Sequence, residues 1–306
     1  MRAVTYPAYS TDLATLRVED RPDPRLAPSA VLIEVKAAAV NPVDWKVMSG
    51  GLDGLMEAVF PVIPGWDVAG VVAALGPDTP EFAIGDEVIA YARKDTVGAG
   101  TFAELVAVPA VAVARKPAAL TFEQAAGLPL AGGTALRTLD ALEVSEGDVV
   151  LVHAAAGGVG GFAVQIAVAR GARVIGTASE ANHDFLRGLG AEPVAYGDGV
   201  VDRIRTLAPE GVDAVADFVG GQLATSLAVL ADGGRQASVA DPGVVEHGGR
   251  WIWVRPDGAE TARLAALADE GKLTVEVART FGLDEVGEAF ALSQAGHVRG
   301  KLVIVP

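Results

Sequence analysis

The chain contains no cysteine. Disulfides, thiolate metal sites and a cysteine nucleophile are thereby excluded together. Histidine is scarce as well: His153, His183, His247 and His297 are the only four, too scattered to suggest a metal cluster. Positive charge is short, with 24 Lys and Arg against 39 Asp and Glu and a net charge of −15. No basic stripe is available to offset phosphate repulsion, so nucleic acid and anionic membrane surfaces are poor partners. No apolar run reaches the roughly 18 residues that cross a bilayer, and the opening MRAVTYPAYS lacks the apolar core of a signal peptide. These absences point to a cytoplasmic protein that handles a small molecule.

What is present centres on 149–170, VVLVHAAAGGVGGFAVQIAVAR. Val149, Val150, Leu151 and Val152 read as a strand buried on both faces. Phe162, Ala163, Ile166, Ala167 and Arg170 follow at helical spacing. Between them lies a run of Ala and Gly, with Gly158 and Gly160 where the turn is tightest. Strand, glycine turn and helix together suit a dinucleotide pyrophosphate, because a helix start offers unpaired N–H groups and glycine lets the backbone approach closely.

With 306 residues, 51% of them hydrophobic, the chain is long enough for two cores. Residues 1 to about 120 carry short alternating runs between Gly and Pro punctuation, at 31–36, 68–73 and 87–91, which predict a barrel-like β domain. From about Thr121, predicted strands at 149–152, 173–177, 212–217 and 234–239 alternate with helices at 158–170, 181–189, 200–208 and 221–231. That alternation predicts a doubly wound α/β domain with a parallel sheet. Residues 94–101 read as a flexible loop. Trp251 and Trp253 alternate on one strand and so share a face, to line substrate space or to pack a dimer. His153, at the end of the first strand of this domain, reads as a hydrogen-bonded structural histidine.

Three sets of residues add a resemblance. Gly147, Asp148, Leu151, Ala155, Ala156, Gly157, Gly158, Val159, Gly160 and Gln165 form one signature. Asn41-Pro42-Val43-Asp44-Trp45-Lys46 and Ile63-Pro64-Gly65-Trp66-Asp67-Val68-Ala69-Gly70 form the second, and Gly296-His297-Val298-Arg299-Gly300-Lys301 the third. Together they resemble the quinone oxidoreductase branch of the medium-chain dehydrogenase/reductase superfamily. The resemblance implies a GroES-like catalytic β-barrel domain of residues 1–121 plus 274–306 and a Rossmann NADPH-binding domain of residues 122–273. It also implies a homodimer. Zinc-dependent members hold their metal with a cysteine and a Gly-His-Glu motif; here the Asn41 neighbourhood and Gly65-Trp66-Asp67 stand in those places, so no zinc is expected.

NADPH is the expected cofactor, cradled by Ala156, Gly157, Gly158 and Val159. An NAD site needs an acidic residue at the end of the second strand. Ala178 stands there instead, and Ser179, Asn182 and His183 are placed to donate to a 2′-phosphate. Glu180 leaves an NAD alternative open. By resemblance, Tyr196 lies near the adenosine. Asn41 and Thr134 lie near the nicotinamide, Phe218, Val219, Val239 and Ala240 line the cofactor, and Gly300 and Lys301 close over it. From the residues alone, Asn41 is equally a turn residue and Thr134 an N-cap. Lys46 is the candidate proton donor, with water as the alternative and Asp44 orienting either the lysine or the loop. The expected reaction is hydride transfer to a quinone or an activated C=C of an α,β-unsaturated carbonyl. A dedicated biosynthetic enoyl or enone reductase and a non-catalytic NADPH-binding partner or sensor protein are the alternatives.

Overall fold

Ala30–Val40 is the strand on which the β-rich part of the molecule is assembled. Every second side chain is buried in its first half and every one in its last turn of chain, so it is covered on both faces only near its end. Along one edge it pairs antiparallel with Leu105–Pro109 and, further on, with Lys301–Ile304; along the other it pairs with Asp67–Leu75. Glu87–Tyr91 and Val113–Arg115 extend the sheet on that side, and Val277–Phe281 lies parallel to Lys301–Ile304 on the far side. The register of the last strand, Leu302 opposite Val40 and Ile304 opposite Ala38, brings Lys301 beside Asn41.

This computed structural model describes residues 1–296 and 298–306. His297, part of the third signature, lies outside the described residues. The chain divides into two units, Met1–Leu130 with Arg255–Pro306, and Ala131–Val254.

The second unit holds a six-stranded sheet in the order Ala191–Ala195, Arg173–Ala178, Val149–His153, Val212–Asp217, Leu230–Ser238, Arg250–Trp251, every pair parallel. Leu151, Ile175 and Val215 from three strands meet Ile204 and Val229 from two helices in its core. The order reverses at Val149–His153, since the chain leaves it first toward one edge and then toward the other. Ligands of such sheets bind at that reversal, beyond the carboxyl ends of the strands.

Four expectations shift. The units divide at 130/131 and 254/255 rather than at 121/122 and 273/274. The helix Gly258–Asp269 packs against Ala110–Ala112 and Val113–Arg115; a Cβ on Gly258 would stand 2.5 Å from the Val113 carbonyl oxygen. The Asp269 carboxylate also accepts the Ala119 N–H at 2.9 Å, a contact across 150 residues that no periodicity reveals. Residues 94–101 are not a free loop: Val97–Ala99 is a strand parallel to Ala58–Ile63, and the Gly100 N–H donates to the Ile63 carbonyl at 2.9 Å. Thr134 is not an N-cap, because the helix starts earlier and runs Pro129–Ala141. Lastly, the edge strand is only Arg250–Trp251, with Trp253 beyond it. The two indoles meet edge to face, 6.2 Å between centroids, and are 45% and 42% exposed.

Candidate functional site

The turn after Val149–His153 carries the first set of candidate residues. Ala154 takes a left-handed conformation with φ 54°, and Gly157 N–H returns to its carbonyl at 3.0 Å. Gly160 then opens the helix Gly160–Ala169, where a Cβ would lie 2.2 Å from the same Ala154 oxygen, so only glycine fits. The N-cap position is Val159, which supplies no side-chain cap. The Gly161 N–H already donates to the Gly157 carbonyl at 2.9 Å and the Phe162 and Ala163 N–H groups to the Val159 carbonyl, so what the turn offers an anion is the helix start at Gly160, at the positive end of the helix dipole. Ala156 is buried, while Gly157, Gly158 and Val159 are half-buried along the rim.

At the end of the neighbouring strand, Ser179 precedes the 3₁₀ turn Glu180–Asn182 and accepts a hydrogen bond from Asn182 Nδ2 at 3.1 Å. His183 begins the next helix, and its Nε2 is buried with no hydrogen-bond partner among the described residues. Glu180 is exposed. Ser179, Asn182 and His183 thus share one turn, with donors not yet fully used. Tyr196, just past Ala191–Ala195, is 58% exposed.

Across the reversal point the turns of 218–220 and 239–241 are tied together by Asp217, which sequence reasoning passed over. One oxygen of its buried carboxylate accepts the Val219 and Gly220 N–H groups, each at 3.0 Å. The other accepts the Ser238 hydroxyl at 2.9 Å, and Ser238 Oγ in turn accepts the Ala240 and Asp241 N–H groups. Asp-Phe-Val-Gly after a strand is an Asx-turn signal that points to this arrangement. Phe218, Val219, Val239 and Ala240 are thereby fixed on rigid turns, with Val219 and Ala240 exposed.

In the first unit, Asn41, Asp44, Asp67 and Lys301 form a buried polar cluster, each no more than 5% exposed. Lys301 Nζ donates to Asn41 Oδ1 at 2.5 Å and to the Val40 carbonyl at 3.3 Å. Asn41 Nδ2 donates to Asp67 Oδ2 at 2.9 Å and to the Ala39 carbonyl at 3.4 Å. The other Asp67 oxygen accepts the Leu130 N–H at 2.8 Å and so caps the first turn of Pro129–Ala141. Asp44 accepts the Asn41 N–H at 2.7 Å, closing a capping box on the helix Pro42–Met48. Burial pushes the Asp44 carboxyl up to about 8 and Asp67 up to about 6, and it lowers Lys301. Asp67 was read from sequence only as a displaced metal position; its partnership with Lys301 depends on a register spanning more than 230 residues.

Lys46 sits in the last turn of Pro42–Met48, exposed, with its ammonium 5.5 Å from the Trp45 ring centroid. Asp44 serves the loop through the Asn41 backbone. Thr134 is buried inside its helix, its carbonyl accepting the Thr138 hydroxyl at 2.7 Å. Gly300 turns with φ 87° immediately before Lys301. His153 is buried and bonded to Thr177 and Ser226.

Residues 27–118 match the family described as Alcohol dehydrogenase GroES-like domain, and residues 189–304 the family described as Zinc-binding dehydrogenase. An NADPH-dependent alkenal/one oxidoreductase of Arabidopsis thaliana is 35% identical over 92% of this chain and 74% of its own length. A 2-methylene-furan-3-one reductase of Solanum lycopersicum is 33% identical over 100% of this chain and 79% of its own. Among solved structures, the quinone oxidoreductase of Coxiella burnetii superposes with a TM-score of 0.89 at 35% identity, covering 100% of this chain and 99% of that one.

The zinc named in the second family description does not fit the residues present. The Asn41 carboxamide is committed on both its oxygen and its nitrogen. The Trp66 indole offers no ligand lone pair and packs edge-on to Tyr91, 6.1 Å between centroids. The Asp67 carboxylate is engaged by Leu130 and Asn41, and the Lys301 ammonium already supplies positive charge beside them. A dication here lacks both sulfur and imidazole donors and faces an ammonium.

Proposed function

Because this chain belongs to the quinone oxidoreductase branch of the medium-chain dehydrogenase/reductase superfamily, we propose that it is an NADPH-dependent, zinc-independent reductase of quinones or of the activated C=C of α,β-unsaturated carbonyls. The observation that carries the reading is the turn 154–159 opening onto an uncapped helix whose first residue, Gly160, admits no side chain. The relatives named above reduce alkenals, enones and quinones by their own descriptions, which supports the acceptor class.

Bound NADPH supplies the hydride. The chain's part is to hold and orient. Backbone N–H groups of Ala156, Gly158 and Val159 and the helix start face the pyrophosphate, and Gly157, whose own N–H closes the turn on Ala154, lets the backbone approach it. Ser179, Asn182 and His183 take the 2′-phosphate, a role supported by the absence of an acid at Ala178 and by the unpartnered His183 Nε2. Thr134, Tyr196, Phe218, Val219, Val239 and Ala240 complete the cofactor contacts of the second unit. In the first unit Asn41, held rigid by Lys301 and Asp67, and Gly300 with Lys301 contribute theirs. Lys46 donates the proton that enone reduction requires after hydride arrives; a quinone accepts its protons from water.

A homodimer formed through Trp251 and Trp253 on the exposed sheet edge belongs to the same proposal. A cytoplasmic location belongs to the same proposal. Among the described residues no helix is long and apolar enough to cross a membrane.

The test is to follow NADPH and NADH oxidation separately against 1,4-benzoquinone and a short-chain enone. Turnover with NADPH strongly preferred is expected. Equal use of NADH would remove the phosphate role of Ser179, Asn182 and His183. Binding of NADPH without turnover of any acceptor in a broad panel would make the chain a binding protein.

A further inference from the structure

His153 is almost wholly buried, 1% exposed, at the carboxyl end of the central strand, and nothing in the proposed reaction uses it. Its two ring nitrogens each meet a hydroxyl, Thr177 Oγ1 at 3.3 Å from Nδ1 and Ser226 Oγ at 3.3 Å from Nε2. Each hydroxyl has one proton, and the neighbours decide where it goes. Ser226 Oγ donates to the Gln222 carbonyl at 2.9 Å, so it presents a lone pair to the imidazole, and Nε2 must carry the hydrogen. A neutral ring then has a bare Nδ1, which accepts the Thr177 proton. Thr177 Oγ1 keeps a lone pair for the Ala154 N–H at 3.2 Å. The donors therefore run in one sense: Ala154 N–H to Thr177, Thr177 O–H to His153, His153 N–H to Ser226, Ser226 O–H to the Gln222 carbonyl.

The ends of this chain are informative. Ala154 is the left-handed residue that starts the turn 154–159, and its neighbour Ala155 also donates to Thr177, through the Thr177 carbonyl at 3.0 Å. Gln222 closes the turn beyond Asp217, and its Nε2 donates to the Gly220 carbonyl at 3.4 Å. We infer that His153 is a positioning residue of the dinucleotide site: a neutral imidazole, protonated on Nε2, that joins the phosphate-binding turn at Ala154 to the turn at Gln222 by a single directed hydrogen-bond chain. This rests on the cofactor reading above for its function, though not for its geometry.

Charge on the ring would break the chain, because a second N–H on Nδ1 would face the Thr177 proton. The surroundings oppose that charge. Burial holds the His153 imidazole down to about 4. The facing carboxylate, Asp217, is its cross-strand neighbour, but both Asp217 oxygens are already committed to Val219, Gly220 and Ser238. Aligned hydrogen bonds in a low-dielectric interior also polarise one another, so a chain of one sense is held more firmly than its separate links.

The test has two independent arms on the full chain. Nitrogen-15 NMR of the histidine rings without cofactor, with the His153 signal assigned by its loss in His153→Gln, should show pyrrole-type Nε2 and pyridine-type Nδ1, unchanged from about pH 5 to about pH 8. The opposite tautomer, or a midpoint within that range, overturns the inference. In the second arm, NADPH and 2′-phospho-ADP-ribose, which lacks the nicotinamide, are titrated into variants. Thr177→Val, which removes the acceptor of the Ala154 N–H, and His153→Gln, which removes the Nδ1 acceptor of the Thr177 hydroxyl, should each weaken both ligands about tenfold. His153→Asn, whose carboxamide oxygen stands close to the Nδ1 position, should stay within about threefold of the parent. A purely structural role would leave His153→Asn as impaired as His153→Gln, and that equality, or unchanged affinity in both, overturns the inference. A parent chain that binds neither ligand sinks the cofactor reading, whereas the tautomer decides the chain of bonds by itself.

Discussion

At the scale of single residues the chemistry is decided by burial. Asp44 and Asp67 are raised to about 8 and about 6 because water is excluded from both. A raised carboxyl binds its proton more tightly in the folded than in the unfolded chain, so its stabilising contribution is complete below about pH 4 and is lost as the pH climbs through the folded values. The melting temperature is therefore expected to fall from about pH 5.5 to about pH 8.5, and Asp44→Asn, which keeps an acceptor for the Asn41 N–H, should flatten that slope. A melting curve measured at intervals of pH on both proteins decides it; equal slopes would place the titration elsewhere. Lys46 is the opposite case, an exposed ammonium over an indole. Lys46→Met should slow enone reduction several-fold more than quinone reduction if the lysine donates the proton. Equal effects in steady-state assays would transfer that step to water.

At the scale of elements, two helix starts carry the argument. The helix Gly160–Ala169 can begin only where no side chain stands between it and Ala154. Gly160→Ala should cost about 1–3 kcal/mol of stability by overpacking and should abolish NADPH binding, read by thermal unfolding and by cofactor fluorescence. Retained tight binding would show that the pyrophosphate lies elsewhere. The helix Pro129–Ala141 is capped by Asp67, more than sixty residues earlier in the chain. Asp67→Ala removes that cap and leaves the Lys301 ammonium buried without its nearby anion, so a loss of about 3–5 kcal/mol is expected. Lys301→Met combined with Asp67→Asn should lose much less than either change to one charge alone, because no uncompensated charge stays inside. Urea unfolding of the three variants would reveal additive losses if the pair were not coupled.

At the scale of the molecule, the exposed indoles of Trp251 and Trp253 stand at the free edge of a parallel sheet. Such an edge invites pairing with another strand. Trp251→Glu with Trp253→Glu is expected to convert a dimer into monomer in light scattering while leaving each chain folded. A parent chain that is already monomeric under the same conditions would remove the homodimer from the proposal.

Four strands of the parallel sheet were legible because their evidence is local: apolar runs, glycine turns and helical spacing alternate along the chain, and these strands fall within a few residues of their expected places, whereas the edge strand Ala191–Ala195, with Glu192 and Pro193 inside it, carries no apolar run. The turn between Val149–His153 and Gly160–Ala169 was legible for the same reason, since strand, glycines and helix are consecutive. What periodicity could not show is everything made by distant register. Lys301 reaches Asn41 only because Lys301–Ile304 pairs with the end of Ala30–Val40. Thr134 looked like a cap because the true cap, Asp67, comes from another strand. The helix Gly258–Asp269 joined the first unit through contacts with 110–119 that its own amphipathic pattern does not encode. Sequence by itself determined the two kinds of architecture and the turn that suits a dinucleotide, since backbone preference and hydrophobic period act over a few residues. Tertiary structure alone decided which charges are buried together and which hydroxyls face His153, because those depend on side chains brought into hydrogen-bond distance from distant parts of the chain.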